Sequence, residues 1–121
     1  MKIKGVDFAY YVVKDLKKSI DFYQNTLGLK MTMSSDMWAE FDAGNLTLVI
    51  GTWGSEAKTQ GSDGGIAFSV DDVTKAIAEL KKKGVKIGDA SWEGDSCVGA
   101  AIEDPDGNRI TLHHRKDGSV G

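Results

Sequence analysis

The strongest constraint on this chain's fold is that its two halves repeat. Val13 and Val70, Asp15 and Asp72, Leu16 and Val73, and Ile20 and Ile77 correspond at a constant offset of 57 positions. Gly28-Leu29-Lys30 is matched by Gly84-Val85-Lys86, and Gly44-Asn45 by Gly107-Asn108. Self-similarity on this scale means one supersecondary unit written twice. With 121 residues the chain has room for one compact domain made of two such units, and not for two ordinary domains.

Each half reads as strand, helix and three strands. Residues 6–13 are rich in β-branched and aromatic side chains and are expected to form a strand. Asp15 is a good N-cap, Leu16, Ile20, Tyr23 and Leu27 recur at helical spacing, and Gly28 closes the helix. Residues 29–34, 38–42 and 46–51 follow as strands, the last two joined through Ala43-Gly44-Asn45. Residues 53–63 are small and polar and read as the connection between halves.

In the second half, residues 65–70 form the first strand. Asp71 or Asp72 caps a helix carrying Val73, Ala76, Ile77 and Leu80, and Gly84 ends it. Residues 85–87, 97–103 and 109–113 supply three strands, with residues 88–95, including Trp92, as a loop. The last strand is launched by Asp104-Pro105-Asp106-Gly107-Asn108, a run of turn-forming residues. A helix with one apolar stripe must bury it against the adjacent sheet. The expected fold is therefore α+β: two tandem βαβββ modules forming a curled mixed β-sheet cup with helices on its outer face. A single domain covers 1–121, with module one at about 5–52, a loop at 53–63 and module two at about 64–115.

Composition removes several function classes. A net charge of −3 argues against nucleic acid, where a basic face supplies most of the affinity. The basic run Lys81-Lys82-Lys83 ends a helix, where it complements the helix dipole. No apolar run approaches the roughly 20 residues needed to span a bilayer, so no membrane partner is expected. Met1-Lys2-Ile3-Lys4-Gly5 lacks the apolar core of a signal peptide, and the single Cys97 makes no internal disulfide. A cytoplasmic location is the resulting expectation. Gly61 to Gly65 follows no strand and opens no helix, which disfavours a nucleotide loop.

The run from Val13 through Asp15-Leu16-Lys17-Lys18-Ser19-Ile20-Asp21-Phe22-Tyr23 to Leu27-Gly28-Leu29 resembles the vicinal oxygen chelate superfamily. So do Ile66-Ala67-Phe68-Ser69-Val70-Asp71-Asp72 and Asp104-Pro105-Asp106-Gly107-Asn108. That superfamily contains glyoxalases, bleomycin-resistance proteins and dioxygenases. The resemblance implies paired βαβββ modules, a homodimer, and, in metal-dependent members, a cation held by histidine, glutamate or glutamine from four strands. Matched residue by residue, those positions fall on Phe8, Leu48, Gly65 and Thr111. None is a normal metal ligand, and among their neighbours only Asp7 is a candidate. No metal and no cofactor is expected, and the resemblance is to the metal-free, bleomycin-resistance-like members.

Strand alternation assigns the cup lining: Phe8, Tyr10 and Val12 from the first strand, and Leu46, Leu48 and Ile50 from the fourth. The second half adds Gly65, Ala67 and Ser69, with Arg109, Thr111 and His113 from the last strand. His113 and His114 point to opposite faces and cannot chelate one metal together. Trp38, Trp53 and Trp92 stand at strand ends or in loops, where they are able to stack on a ligand. Glu40 and Asp42 share a strand face with Trp38, and would meet a cationic ligand if that face turns inward.

The expected function is binding of a planar or aromatic small molecule without metal. The ligand-binding residues are Phe8, Tyr10, Trp38, Leu48, Ile50, Ala67, Arg109, Thr111 and His113. No residue is assigned a catalytic role. The competing readings are a metal-independent enzyme using Tyr10, His113 or Arg109 for acid–base or electrostatic work, a metal-dependent lyase or dioxygenase, and a cup filled as a second core.

Overall fold

The computed structural model describes residues 2, 4, 7–53 and 65–120. The first residue of the first expected strand, Val6, and most of the expected connection, 54–63, lie outside them. The chain forms two compact units, Met1–Thr59 and Gln60–Gly121. Unit one contains β1 (Phe8–Val12), α1 (Leu16–Asp21) continuing into a π-helical turn (Phe22–Thr26), β2 (Lys30–Ser34), β3 (Trp38–Asp42) and β4 (Thr47–Gly51). Unit two contains β5 (Ala67–Ser69), α2 (Val73–Lys82), β6 (Lys86–Glu93), β7 (Cys97–Glu103) and β8 (Arg109–Arg115).

The sheets have the same topology, β1-β4-β3-β2 and β5-β8-β7-β6. The β1–β4 and β5–β8 pairs are parallel and the others antiparallel. Both units are thus βαβββ modules with a mixed, open four-stranded sheet, as the repeat implies. The helix starts match as well: Asp15 accepts from the Lys18 N–H at 3.1 Å, and Asp72, not Asp71, accepts from Lys75 at 3.0 Å.

The first helix departs from the expected regular α-helix. After Asp21 it widens, and the Leu27 N–H reaches the Phe22 carbonyl at 2.9 Å, an i→i+5 bond. The wider turn carries both Phe22 and the fully buried Tyr23 into the core. Tyr23 lies 5.9 Å from the Phe41 ring of β3, so the helix covers the sheet face bearing Phe41.

The expected loop at 88–95 is instead mostly strand. β6 runs through Glu93, with a register shift between Ile87 and Ser91. Gly88 and Asp89, turn-forming by type, sit in this irregularity rather than in a loop. Only the short Gly94 to Ser96 link remains, closed by a Gly94 N–H to Cys97 carbonyl bond of 2.9 Å.

The turn before β8 is built around the buried Asp104 carboxylate. Its Oδ1 accepts from the backbone N–H groups of Asp106 and Asn108 at 2.9 and 2.8 Å, and its Oδ2 from Asn108 Nδ2 at 2.8 Å. Gly107 takes φ of 80°, which an L side chain rarely adopts.

Candidate functional site

Each sheet has one face under its helix and one open face. Residues paired across strands share a face, so the register sorts every side chain. In unit one, Phe8 pairs with Thr47, Tyr10 with Val49 and Val12 with Gly51. Gly51 pairs in turn with Trp38, Val49 with Glu40 and Thr47 with Asp42. Met33 stands opposite Glu40, and Lys30 opposite Asp42. Phe8, Tyr10, Trp38, Glu40, Met33 and Val49 therefore occupy the open face together.

Leu48 and Ile50 do not. They pair with Ala9 and Tyr11 on one side and with Phe41 and Ala39 on the other. Both are fully buried, on the helix-covered face with Tyr23 and Phe41. Their expected place in the lining is corrected: β4 turns Thr47, Val49 and Gly51 to the open face. Leu46, Leu48, Val49 and Ile50 are all apolar, so β4 carries no readable alternation. The parallel pairing with β1 decides its phase.

Tyr10 crosses this face above Gly51. A Cβ on Gly51 would stand 2.7 Å from the Tyr10 hydroxyl and 3.1 Å from the Trp38 Cβ, so only glycine leaves room for the phenol ring. The Tyr10 hydroxyl donates to the Trp53 carbonyl at 2.9 Å, and the two rings are 6.4 Å apart and tilted by 58°. Burial pushes the Tyr10 phenol above its ordinary range. Trp38 donates its indole N–H to the Met33 sulfur at 3.2 Å. Phe8 is 55% exposed, Trp38 39% and Trp53 72%, so this aromatic surface is open rather than filled as core.

In unit two, Ala67 pairs with Thr111 and Ser69 with His113, and β7 sets Glu103, Ala101 and Gly99 opposite Arg109, Thr111 and His113. Trp92 stands opposite Gly99. Its six-membered ring occupies the space that a Cβ on Gly99 would need, and it lies 6.3 Å from the His113 imidazole. Ala67, Arg109, Thr111 and His113 thus share one open face, with Trp92 lying across it. His114 points to the other face, its Nδ1 3.1 Å from the Val70 carbonyl. At the Arg109 end is a hollow of about 380 Å³, bordered by Gly88, Asp89, Ala101, Glu103 and Gly107. Lys86 reaches Glu103 there at 3.0 Å.

Sequence reasoning missed Trp92 as a strand residue, and it missed the two glycines that seat aromatic rings. The signal was present only as spacing. Gly51 and Gly99 each lie where an aromatic residue of another strand is paired or packed.

The residues at the family's metal positions do not fit a cation. The register moves the β4 position from Leu48 to the face of Thr47 and Val49, where valine has no donor atom. Phe8 has none, and the Thr111 hydroxyl is a weak ligand. Gly65 has no side chain and takes φ of 149°, a conformation that a histidine or glutamate rarely adopts. Among the described residues no group of three or more His, Cys, Asp or Glu side chains is placed to hold a metal. No described helix is long and apolar enough to cross a membrane.

The chain matches the family model described as the Glyoxalase/Bleomycin resistance protein/Dioxygenase superfamily over residues 5–112. It is 32% identical to the lactoylglutathione lyase of Salmonella typhimurium over 124 residues, covering 90% of this chain and 91% of that one. The metallothiol transferase FosB of Lysinibacillus sphaericus is 28% identical over 118 residues, covering 93% and 84%. Among solved structures, TnmS3, an antibiotic binding protein from Streptomyces sp. CB03234, superimposes with a TM-score of 0.77 at 26% identity, covering 96% of this chain and 99% of that one. With the repeat, the duplicated topology and these matches together, the chain belongs to the glyoxalase/bleomycin resistance protein/dioxygenase superfamily.

Proposed function

We propose that this protein is a metal-independent small-molecule binding protein that takes a planar or aromatic ligand on its open sheet faces. The observation that carries this reading is the aromatic surface of the exposed Phe8 and Trp38 and the half-buried Tyr10, on the strand face to which the family resemblance assigns a metal position. Flat rings bind such a surface by burial and offset stacking. Covering about 200 Å² of apolar surface is worth roughly 5 kcal/mol before orientational costs, which corresponds to a dissociation constant of about 0.2 mM, so tighter binding requires polar contacts as well. The likeness to an antibiotic binding protein supports the same reading. A net charge of −3 favours a small molecule over nucleic acid, and a cytoplasmic homodimer belongs to the same reading.

Titrating tryptophan fluorescence with a panel of planar aromatic compounds, with and without chelator, tests it. The expected result is saturable quenching that chelator leaves unchanged and that Trp38→Ala or Tyr10→Ala weakens about tenfold. Failure of every compound, or binding that chelator abolishes, would overturn it. The second reading is a metal-free enzyme, favoured by the relatives named lactoylglutathione lyase. It requires turnover of lactoylglutathione that survives chelator and disappears in His113→Ala.

A further inference from the structure

Met33 stands on the open face of unit one because β2 is bulged. Strict alternation from Lys30, which lies opposite Asp42, would put Met33 on the helix-covered face with Met31 and Phe41. The register shift between Met31 and Met33 makes Thr32 an extra residue, whose hydroxyl donates to the Glu40 carbonyl at 3.3 Å, and Met33 is re-aimed outward opposite Glu40. There it is 41% exposed, within reach of a small solute.

The same sulfur holds an aromatic ring of that face. Trp38 donates its indole N–H to Met33 Sδ at 3.2 Å, and an indole has no other polar atom by which to be oriented. The Trp38 backbone is fixed separately. Its N–H donates to Ser35 Oγ at 3.2 Å, and its carbonyl accepts the Ser35 N–H at 2.8 Å. The ring is therefore able to turn without disturbing the hairpin.

We propose that Met33 is a site of oxidative modification by hydroperoxides, and that its sulfoxide turns the Trp38 indole and weakens aromatic binding on this face. A sulfur lone pair attacks the terminal peroxide oxygen, so an S–O bond forms as the O–O bond breaks. The hydroxide or alkoxide that leaves takes up the proton of the transferred oxygen and departs as water or alcohol. Sulfur is oxidised by two electrons and the peroxide is reduced by two. The new oxygen stands off the sulfur and is the stronger acceptor, so the indole N–H bonds to it at about 2.9 Å and the ring moves away from its present seat. Met37 is more exposed, at 55%, but its sulfur accepts no hydrogen bond from a described residue, so its oxidation is the internal control. The modification and the ring movement stand on this geometry alone, whereas the effect on binding rests on the small-molecule reading above.

The test treats the protein with hydrogen peroxide and follows sulfoxide at Met31, Met33 and Met37 by peptide mass mapping. Trp38 is observed by fluorescence and near-UV circular dichroism in a protein carrying Trp53→Phe and Trp92→Phe. The expected result is a Trp38 spectral change that tracks Met33 sulfoxide, persists in Met37→Leu, is absent in Met33→Leu, and reverses with methionine sulfoxide reductase and a thiol reductant. If the two-tryptophan replacement does not fold, the difference between the peroxide responses of wild type and Met33→Leu gives the same reading. Acridine, uncharged at mildly alkaline pH, should bind about fivefold more weakly after oxidation, the worth of one displaced aromatic contact, and Met33→Leu should show no such loss. Met33 left unoxidised while Met37 is oxidised, or a Trp38 spectrum unchanged by Met33 sulfoxide, overturns the proposal. A spectral change with unaltered acridine affinity overturns the effect on binding. If neither acridine nor the wider compound panel binds the untreated protein, the small-molecule reading fails, and the spectral response still decides the modification site.

Discussion

Replacing Gly99 with alanine tests how the open face of unit two is built. The new methyl group falls where the six-membered ring of Trp92 now lies, so the ring must leave. β6 is an edge strand and Trp92 is already 41% exposed, so the ring swings towards solvent before the backbone yields. Lifting it off the sheet exposes about 75 Å² of apolar surface, a loss of roughly 2 kcal/mol, and gives up the contact with His113. Alanine recovers about 0.5–1 kcal/mol through reduced chain entropy in a strand. The net expectation is a destabilisation of about 1–1.5 kcal/mol.

The same substitution in a Trp92→Ala background meets no ring. There it should be neutral or stabilising by about 0.5 kcal/mol, so the double-mutant cycle carries a clear coupling energy. Urea unfolding followed by far-UV circular dichroism, on the wild type, both single variants and the double variant, measures it. An equal cost for Gly99→Ala in both backgrounds would refute the seating of Trp92 on Gly99.

Three further outcomes follow from the register, the phenol and the turn. Leu48→Ala should cost about 2–5 kcal/mol in urea unfolding, whereas Phe8→Ala should cost under about 0.5 kcal/mol and weaken ligand binding instead. The reverse pattern would place Leu48 on the open face. Burial raises the Tyr10 phenol above its ordinary value of 10.0, so its contribution to stability is complete below that pH and is lost as pH rises through the folded-state value. The difference in urea midpoint between wild type and Tyr10→Phe should therefore shift against the wild type only above about pH 10, and a difference independent of pH would contradict this. Asp104→Ala strips three donors of their acceptor in a buried turn and should cost about 3 kcal/mol or more, with Asp104→Asn recovering part of it; a loss below about 1 kcal/mol would show that the turn does not depend on the carboxylate.

The order of elements was legible in the chain because it depends on local signals that occur twice. Asp15 and Asp72 cap helices at equivalent places whatever surrounds them, and the turn residues Asp104 to Asn108 set the entry to β8. Alternation within β1 and β8 likewise depends only on the strand's period of two, so Phe8 and Tyr10, and Thr111 and His113, could be grouped in advance. That Phe8 and Gly65 carry no ligand atom, and Thr111 only a weak one, was plain from residue type alone.

What only tertiary structure decided was phase and proximity. β4 is apolar at nearly every position, so its faces are fixed by pairing Thr47 with Phe8 and Val49 with Tyr10, which sends Leu48 and Ile50 into the core. β6 hides its strand behind Gly88 and Asp89, and the pairing that aligns Trp92 with Gly99 lies beyond a register shift no local signal announces. Glu40 is an ordinary surface acid by sequence. That Met33 and Val49 flank it appears only in the strand register. Sequence carries backbone preference and periodicity, which are properties of neighbouring residues. The site is made by residues far apart in the chain, and their meeting is set by strand register.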